Sequence, residues 1–319
     1  MRQIALALLF AAACGGGGGN NPPGDDTTNP DGNNPNPDTP GDTITPMGNA
    51  TVFTIVLENH DFAEIVGSSN APFLNSLIAM GALATNYDDT IHPSLGNYLH
   101  MISGEDQYPG FVDIGPQQAP FFPADKQHLG SQLQAGGVKW RAYQESMGSA
   151  CNLNDNGKYA PKHNPFIYFK DIQENTTLCK DVDVDYSQFA ADLASNDYRY
   201  MWITPNLDSD GHDPSSDPVA ALKHSDTWMS QEVPKILDSD GFKNGGVLFI
   251  TWDEAEDRSS SGPDKIPMIV VSPRVKQAGM TSSTKMDHGS YLATVETLFG
   301  FQRLAPVASV PTLMEFLNP

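Results

Sequence analysis

Apolar residues along this chain fall into short blocks that follow two different rhythms. Thr51-Val52-Phe53-Thr54-Ile55-Val56-Leu57 is a β-branched, apolar run with no polar alternation, the signature of a strand covered on both faces. Val247-Leu248-Phe249-Ile250-Thr251-Trp252, introduced by Gly245-Gly246, repeats that signature late in the chain. Helical spacing appears elsewhere. Phe73, Leu74, Leu77 and Ile78 predict a helix from Ala71 to Met80, with Pro72 tolerated in its first turn and Gly81 as a stop. Tyr98, Leu99, Met101 and Ile102 predict another, from Ser94 to about Ser103-Gly104. Val219 to Leu237 carries Ala220, Leu222, Trp228, Val233 and Ile236 on one stripe, and Pro234 is expected to kink or split that helix.

Shorter patterns complete the series. Strands are predicted over Leu83 to Tyr87, Val138 to Tyr143, Tyr198 to Thr204 and Pro267 to Val271, and helices over Ser131 to Ala135, Tyr186 to Ala194 and Gly289 to Phe299. Strands alternating with helices define an α/β fold, with a mostly parallel central sheet covered by helices on both faces. Residues 105 to about 182, rich in Pro, Gly, Gln and Asn, read as a loop-rich cap over one end of that sheet, interrupted by the strand at 138–143. Internal repeats and a later membrane span are absent from the sequence.

The first residues follow different rules. Met1-Arg2-Gln3 and the apolar run Ile4 to Ala13 have the length of an export signal, too short for a stable bilayer span. The run closes on Ala11-Ala12-Ala13-Cys14, so residues 1–14 resemble a bacterial lipoprotein signal cut before a lipidated Cys14; Ala11 stands where a larger aliphatic residue is usual. Ordinary cleavage after Ala13 is the other reading, and it makes the protein secreted or periplasmic rather than anchored to the cell envelope. Residues 15–48, mostly Gly, Asn, Pro, Asp and Thr, cannot bury enough apolar surface to offset their ordering entropy and read as a disordered tether. Residues 49–319 then form a single domain. Of the remaining cysteines, Cys151 and Cys179 suit a disulfide in an exported protein, with two buried free thiols as the alternative and a metal site less favoured than either.

Charge narrows the partners. With 18 Lys+Arg against 39 Asp+Glu the formal net charge is −21. That field opposes nucleic acid and anionic lipid, leaving a lipid anchor as the one expected membrane contact. It also repels phosphate esters, so a phosphate-ester substrate would need a local cation.

Polar clusters stand just past the predicted strand ends, where parallel sheets gather ligands. Glu58-Asn59 follows the first strand. Ser94, with Asn97 three residues on, opens a helix whose backbone N–H groups favour a nucleophile attacking phosphorus. His212-Asp213 lies beyond the Tyr198–Thr204 strand, Asp253-Glu254 follows the Val247–Trp252 strand, and His288 precedes the last helix. Taken one at a time, these are more often turns, caps or loop hydrogen bonds. His60, His92, His100, His128, His163 and His224 read as structural or surface residues, although His92 is close enough in sequence to act on Ser94.

The ordered set is more specific than its members. Glu-Asn after the first strand, Pro93-Ser94 with Asn97, Pro205-Asn206 followed by His212-Asp213, Asp253-Glu254, Pro267-Met268-Ile269-Val270-Val271-Ser272-Pro273 and a late His resemble the phosphoesterase family over about residues 50–300. That family holds bacterial phospholipases C and acid phosphatases, and its fold is similar to the alkaline phosphatase superfamily's three-layer sandwich. The resemblance implies metal ligation by Glu58, Asn59, Asp253 and Glu254, where some relatives have two Asp. It also implies Ser94 as nucleophile, Asn97 on the transferred phosphate, and His212 and His288 in the site, with Asp213 beside His212. The implied activity is hydrolysis of phosphoric esters through a Ser94 phosphoenzyme, on a small monoester or, alternatively, on a phospholipid diester. A tethered surface-binding protein without turnover is the reading from another class. Oxygen ligands suit Ca²⁺, Mg²⁺ or Mn²⁺, and histidines suit Zn²⁺ or Fe. Phe111, Phe121, Phe122, Phe166, Tyr168 and Phe169 either line a lipid-accepting groove or belong to the core.

Overall fold

The structure, a computed structural model, describes residues 47–105, 112–118, 126–256 and 264–319. The signal and nearly all of the tether therefore lie outside the described residues, as do Phe111, Phe121 and Phe122.

Among the described residues ten strands follow in chain order: β1 Val52–Leu57, β2 Ala82–Ala84, β3 Tyr87–Asp88, β4 Trp140–Gln144, β5 Asp183–Asp185, β6 Tyr200–Thr204, β7 Val247–Trp252, β8 Met268–Val271, β9 Met280–Ser282 and β10 Met286–Asp287. Eight of them form one sheet in the order β5-β4-β6-β1-β7-β8-β2-β9, and β3 pairs with β10 beside it. Only β8 runs against its neighbours in the main sheet, so the architecture is the expected mostly parallel one. β1 sits centrally, in parallel register with β6 from Val52↔Tyr200 and with β7 from Val52↔Val247 to Leu57↔Trp252. All six residues of β1 are buried, and alternate side chains of a strand point to opposite faces, so both faces are covered here.

Helices surround the sheet. Pro72–Met80 packs against Pro218–Asp238, and Leu95–Ser103 against His288–Phe299. The last of these is tied to the sheet through buried hydroxyls, Thr54 Oγ1 to Tyr291 Oη at 2.6 Å and Tyr291 Oη to Tyr200 Oη at 2.9 Å. A satisfied polar chain of this kind fixes the position of a helix where purely apolar contact would leave it freer to slide.

Several elements differ from the sequence reading. Pro234 does not split its helix, which runs from Pro218 to Asp238. The carbonyl it strands belongs to Ser230, and both residues lie on the exposed face, where water can serve that oxygen. The strand expected at Leu83 to Tyr87 is two, because Thr85 bonds Ser282 O through both its N–H and its hydroxyl and the chain then turns into the smaller sheet. β5 went unseen because Asp183-Val184-Asp185 has only one apolar residue, although Asp183 is buried beside Val184. Cys151 and Cys179 are disulfide-bonded with Cα atoms 5.4 Å apart, closing residues 151–179 against the β4–β5 edge.

Candidate active site

Because β6, β1 and β7 are adjacent and parallel, the segments that follow them leave the sheet side by side. The Glu58 N–H donates to Asp210 O at 2.8 Å and the Asp253 N–H to Leu57 O at 2.9 Å, which locks the three exits together. Asn59 adopts a left-handed backbone, φ 53°, and its N–H reaches Asp253 Oδ1 at 3.4 Å. Gly211, at φ 103°, closes the loop after β6; a Cβ there would lie 3.0 Å from Glu58 O and the same distance from the His60 ring. Only glycine satisfies both the conformation and the space.

Ser94 precedes the nine-residue helix Leu95–Ser103, with its backbone already helical. Ser94 and Tyr98 lie one turn apart on the same face, and both point at one carboxylate: Ser94 Oγ donates to Glu58 Oε2 at 3.3 Å and Tyr98 Oη to Glu58 Oε1 at 2.7 Å. The residue at 94 is therefore beside the carboxylate at 58. Asn97 is turned toward its own entry turn, its Oδ1 accepting Thr90 and Ile91 N–H at 2.9 and 3.1 Å, while Nδ2 donates to Ile91 O and reaches Glu254 Oε2 at 3.5 Å.

The histidines separate by position. His212 is partly exposed at the mouth, its N–H on Asp210 Oδ1 at 2.8 Å and its Nδ1 on Asp213 Oδ1 at 3.0 Å. Asp213 is shared with Lys158 at 2.8 Å. His288 is fully buried with both ring nitrogens engaged, Nε2 with Asp253 O at 2.7 Å and Nδ1 with Tyr87 Oη at 3.1 Å, so it stands behind the acidic pair and braces it. Burial pushes its pKa down to about 4. His92 contacts Glu254 at 3.1 Å and Asp89 and Asp264 at 3.4 Å, and it is raised to about 9, chiefly by the nearby Glu254 carboxylate.

The sequence reading passed over four residues of the centre. His163, stacked on Tyr98, brings Nε2 to 3.2 Å from Glu58 Oε1 without the alignment of a hydrogen bond, and Nδ1 to 3.5 Å from Asp210 Oδ2. Glu58, His163 and Asp210 form a buried set whose donor atoms all lie within 4.8 Å of one another. Lys162, the residue before His163, and Tyr98 complete the four. Asp210 had a signal, since it lies in the polar cluster after β6; His163 and Lys162, in a short turn between prolines, had none.

Glu58, Asp210, Asp253 and Glu254 are all completely buried. Burial, then mutual repulsion, pushes Glu58 and Asp253 well above the ordinary carboxylate range, and burial does the same for Asp210. Burial works against the charge of Lys162, but Glu58, Asp113 and Asp253 outweigh it and raise its pKa overall. Burial, with Lys162 and His212 nearby, drives His163 well down and keeps it neutral. Among the described residues, Asn59 Oδ1, Asp210 Oδ2, Asp253 Oδ2 and Glu254 Oε1 find no hydrogen-bond partner. Four buried carboxylates, three of them with an unpaired oxygen, and a neutral imidazole fit a divalent cation; without one, such a cluster is strongly disfavoured. Two further groups with ligand spacing, His60-Glu64-Glu256 and Asp89-His92-Asp264, lie outside this set.

Phe166, Tyr168 and Phe169 are fully buried in the core, so the alternative in which they line a groove is not what forms. Among the described residues no helix is long and apolar enough to cross a membrane.

A parallel-sheet fold with a serine beside buried acids at the strand exits defines a hydrolase-type centre, and comparison with known proteins specifies it. The model of the phosphoesterase family matches residues 68–302. The chain belongs to the phosphoesterase family and is a hydrolase acting on phosphoric esters. It is 27% identical over 274 residues to a phosphatidylinositol-3-phosphatase of Mycobacterium tuberculosis, covering 83% of this chain and 82% of that protein. It is 27% identical to a probable acid phosphatase of Kluyveromyces lactis and 25% to an acid phosphatase of Aspergillus fumigatus, over 76% and 79% of this chain. The chain spans only 56% and 55% of those two fungal proteins. In fold it is similar to an alkaline phosphatase superfamily protein from Vibrio parahaemolyticus, with TM-score 0.58 at 13% identity over 85% of this chain and 70% of that one. A phosphonate monoester hydrolase of Agrobacterium radiobacter is similar at TM-score 0.55 and 12% identity, over 85% and 78%.

Proposed function

We propose that this protein is a metal-dependent phosphomonoesterase that works through a phosphoserine at Ser94. The observation that carries the reading is the Ser94 hydroxyl donating to Glu58 among buried carboxylates with unpaired oxygens. Glu58, Asn59, Asp253 and Glu254, together with Asp210 and His163, would hold the cation. A divalent cation supplies Lewis acidity, lowering the pKa of a nearby hydroxyl and neutralising phosphoryl oxygens.

The chain's own groups do the rest. Ser94 Oγ, its proton passing along the hydrogen bond to Glu58 Oε2, forms the new bond to phosphorus while the bond to the substrate's alcohol oxygen breaks in line, and the proton returns to Oγ when water later releases the phosphate. With Nδ1 of His212 engaged by Asp213, Nε2 is the nitrogen that gives a proton to the leaving alcohol and takes one from the water that later attacks the phosphoserine. His288 and Tyr98 position Asp253 and Glu58 without touching substrate. The relatives named acid phosphatases support a monoester, and so does the absence of a groove built from Phe166, Tyr168 and Phe169. The oxidised Cys151–Cys179 pair supports an exported protein.

Purified protein supplied in turn with Mg²⁺, Ca²⁺, Mn²⁺, Zn²⁺ and Fe²⁺ should hydrolyse p-nitrophenyl phosphate faster than bis-p-nitrophenyl phosphate or p-nitrophenyl phosphorylcholine. Preference for either diester sinks the monoesterase reading, and inactivity toward all three substrates with every metal sinks catalysis itself.

A further inference from the structure

One charged side chain at the centre has no part in the chemistry above. Lys162 belongs to the short turn Pro161–His163, is only 25% exposed, and lies close enough to Glu58, Asp210 and Asp253 to act on all three. In a chain of net charge −21 a cation in that position is not incidental. It is, however, already paired. Lys162 Nζ donates to Asp113 Oδ2 at 2.8 Å, and the other oxygen of the same carboxylate, Oδ1, accepts the Leu95 N–H at 3.1 Å. Leu95 directly follows Ser94, so its amide adjoins the attacking oxygen.

A single carboxylate thus bridges a lysine and the backbone amide next to the nucleophile. The O–C–O fork of a carboxylate resembles the O–P–O edge of a phosphate, and both suit two convergent donors. We propose that Lys162 and the Leu95 N–H are the phosphate-binding pair of this site, and that Asp113 is an internal substrate mimic which an incoming phosphate displaces. The inference rests on the placement of Ser94 as nucleophile. Asp113 can leave by rotating its side chain, because the backbone just beyond it is held independently: Tyr168 Oη donates to Ile114 O at 2.7 Å and Gln173 Nε2 to Pro116 O at 2.9 Å. Displacement converts a neutralised Lys162 into a free one, and a dianionic monoester gains more from that charge than a monoanionic diester. The pair therefore selects substrate class as well as binding it.

Titration calorimetry with inorganic phosphate, on the full chain with its disulfide intact and Mn²⁺ present, tests this without turnover. Asp113→Asn, which removes the competing charge, should tighten phosphate binding about tenfold, and Lys162→Ala should weaken it about tenfold. In kinetics, Lys162→Ala should raise KM for p-nitrophenyl phosphate with kcat little changed, and affect bis-p-nitrophenyl phosphate less. If Asp113 merely braces the helix, Asp113→Asn lowers Tm and leaves phosphate affinity unchanged or weaker, which overturns the proposal; unchanged affinity in Lys162→Ala overturns it as well. Should Asp113→Asn not fold, Asp113→Ala and the lysine variant decide. A wild-type protein that turns over no ester while these affinities shift as stated removes the phosphatase reading and leaves the anion site; normal turnover with unmoved affinities does the reverse.

Discussion

The centre has two halves built on different principles. One is carried by strand exits: Glu58, Asp210 and Asp253 leave three adjacent parallel strands and are cross-braced by backbone hydrogen bonds and by His288. The other is carried by connecting chain: Asp113, Lys162 and His163 sit in turns held by ion pairs, side-chain hydrogen bonds and one disulfide. The first half cannot move without breaking the sheet, whereas the second can adjust while the sheet stays intact. On the proposed reading, rigidity sits where bonds to phosphorus are made and broken, and adaptability where the substrate is recognised.

Four experiments break or sharpen this contrast. The largest effect belongs to the rigid half: Ser94→Ala should lower kcat toward p-nitrophenyl phosphate roughly 10³-fold or more, with bound metal, measured by mass spectrometry, unchanged. Retained wild-type turnover would reject the phosphoserine. Next, Asp210→Asn should weaken metal affinity at least about 100-fold, read by competition with a chelator; unaltered affinity would place the cation away from the loop after β6.

The third test addresses the connecting half. Replacing Cys151 and Cys179 by Ser should lower unfolding free energy by about 3–4 kcal/mol from the loop they close, measured with urea, and should raise KM more than it lowers kcat. Equal losses in both would erase the distinction between the halves.

The smallest effect per step concerns pH. Asp183 in β5 is raised by burial from 3.8 to about 8, with only the Asn164 amide at 2.9 Å opposing. Tyr159 also faces that amide. The folded chain therefore holds a proton there that the unfolded chain has lost. The stabilisation is complete below about pH 4 and disappears as pH rises through 8, at up to about 1.4 kcal/mol per unit in that window. Asp183→Asn should flatten this slope in thermal unfolding at pH 5 and pH 8; an unchanged slope would show that the proton resides elsewhere.

The same contrast explains what could be read from the amino acids alone. β1 and β7 announce themselves through unbroken apolar runs, and an acid directly after such a run stands out, so Glu58 and Asp253 were legible along with the sheet that carries them. Ser94 was legible from the helix it opens. His163 and Lys162 were not, because their position depends on a chain reversal between two prolines and on the disulfide, and neither leaves a periodic trace. His288 was legible as a residue of the site but its place behind the acidic pair was not, since spacing cannot tell a ring facing the substrate from one behind a ligand. Pro234 misled because local propensity takes no account of which helix face meets water.

The crowding of acids at the strand exits bears on how the chain reaches its mature form. A polypeptide collapsing around four such groups must leave them protonated or recruit an ion as it closes; with the proposed cation as their partner, maturation and ion loading become one event governed by mass action. In a compartment poor in the right ion the protein would persist as a looser species, its midpoint of unfolding climbing as the ion is restored.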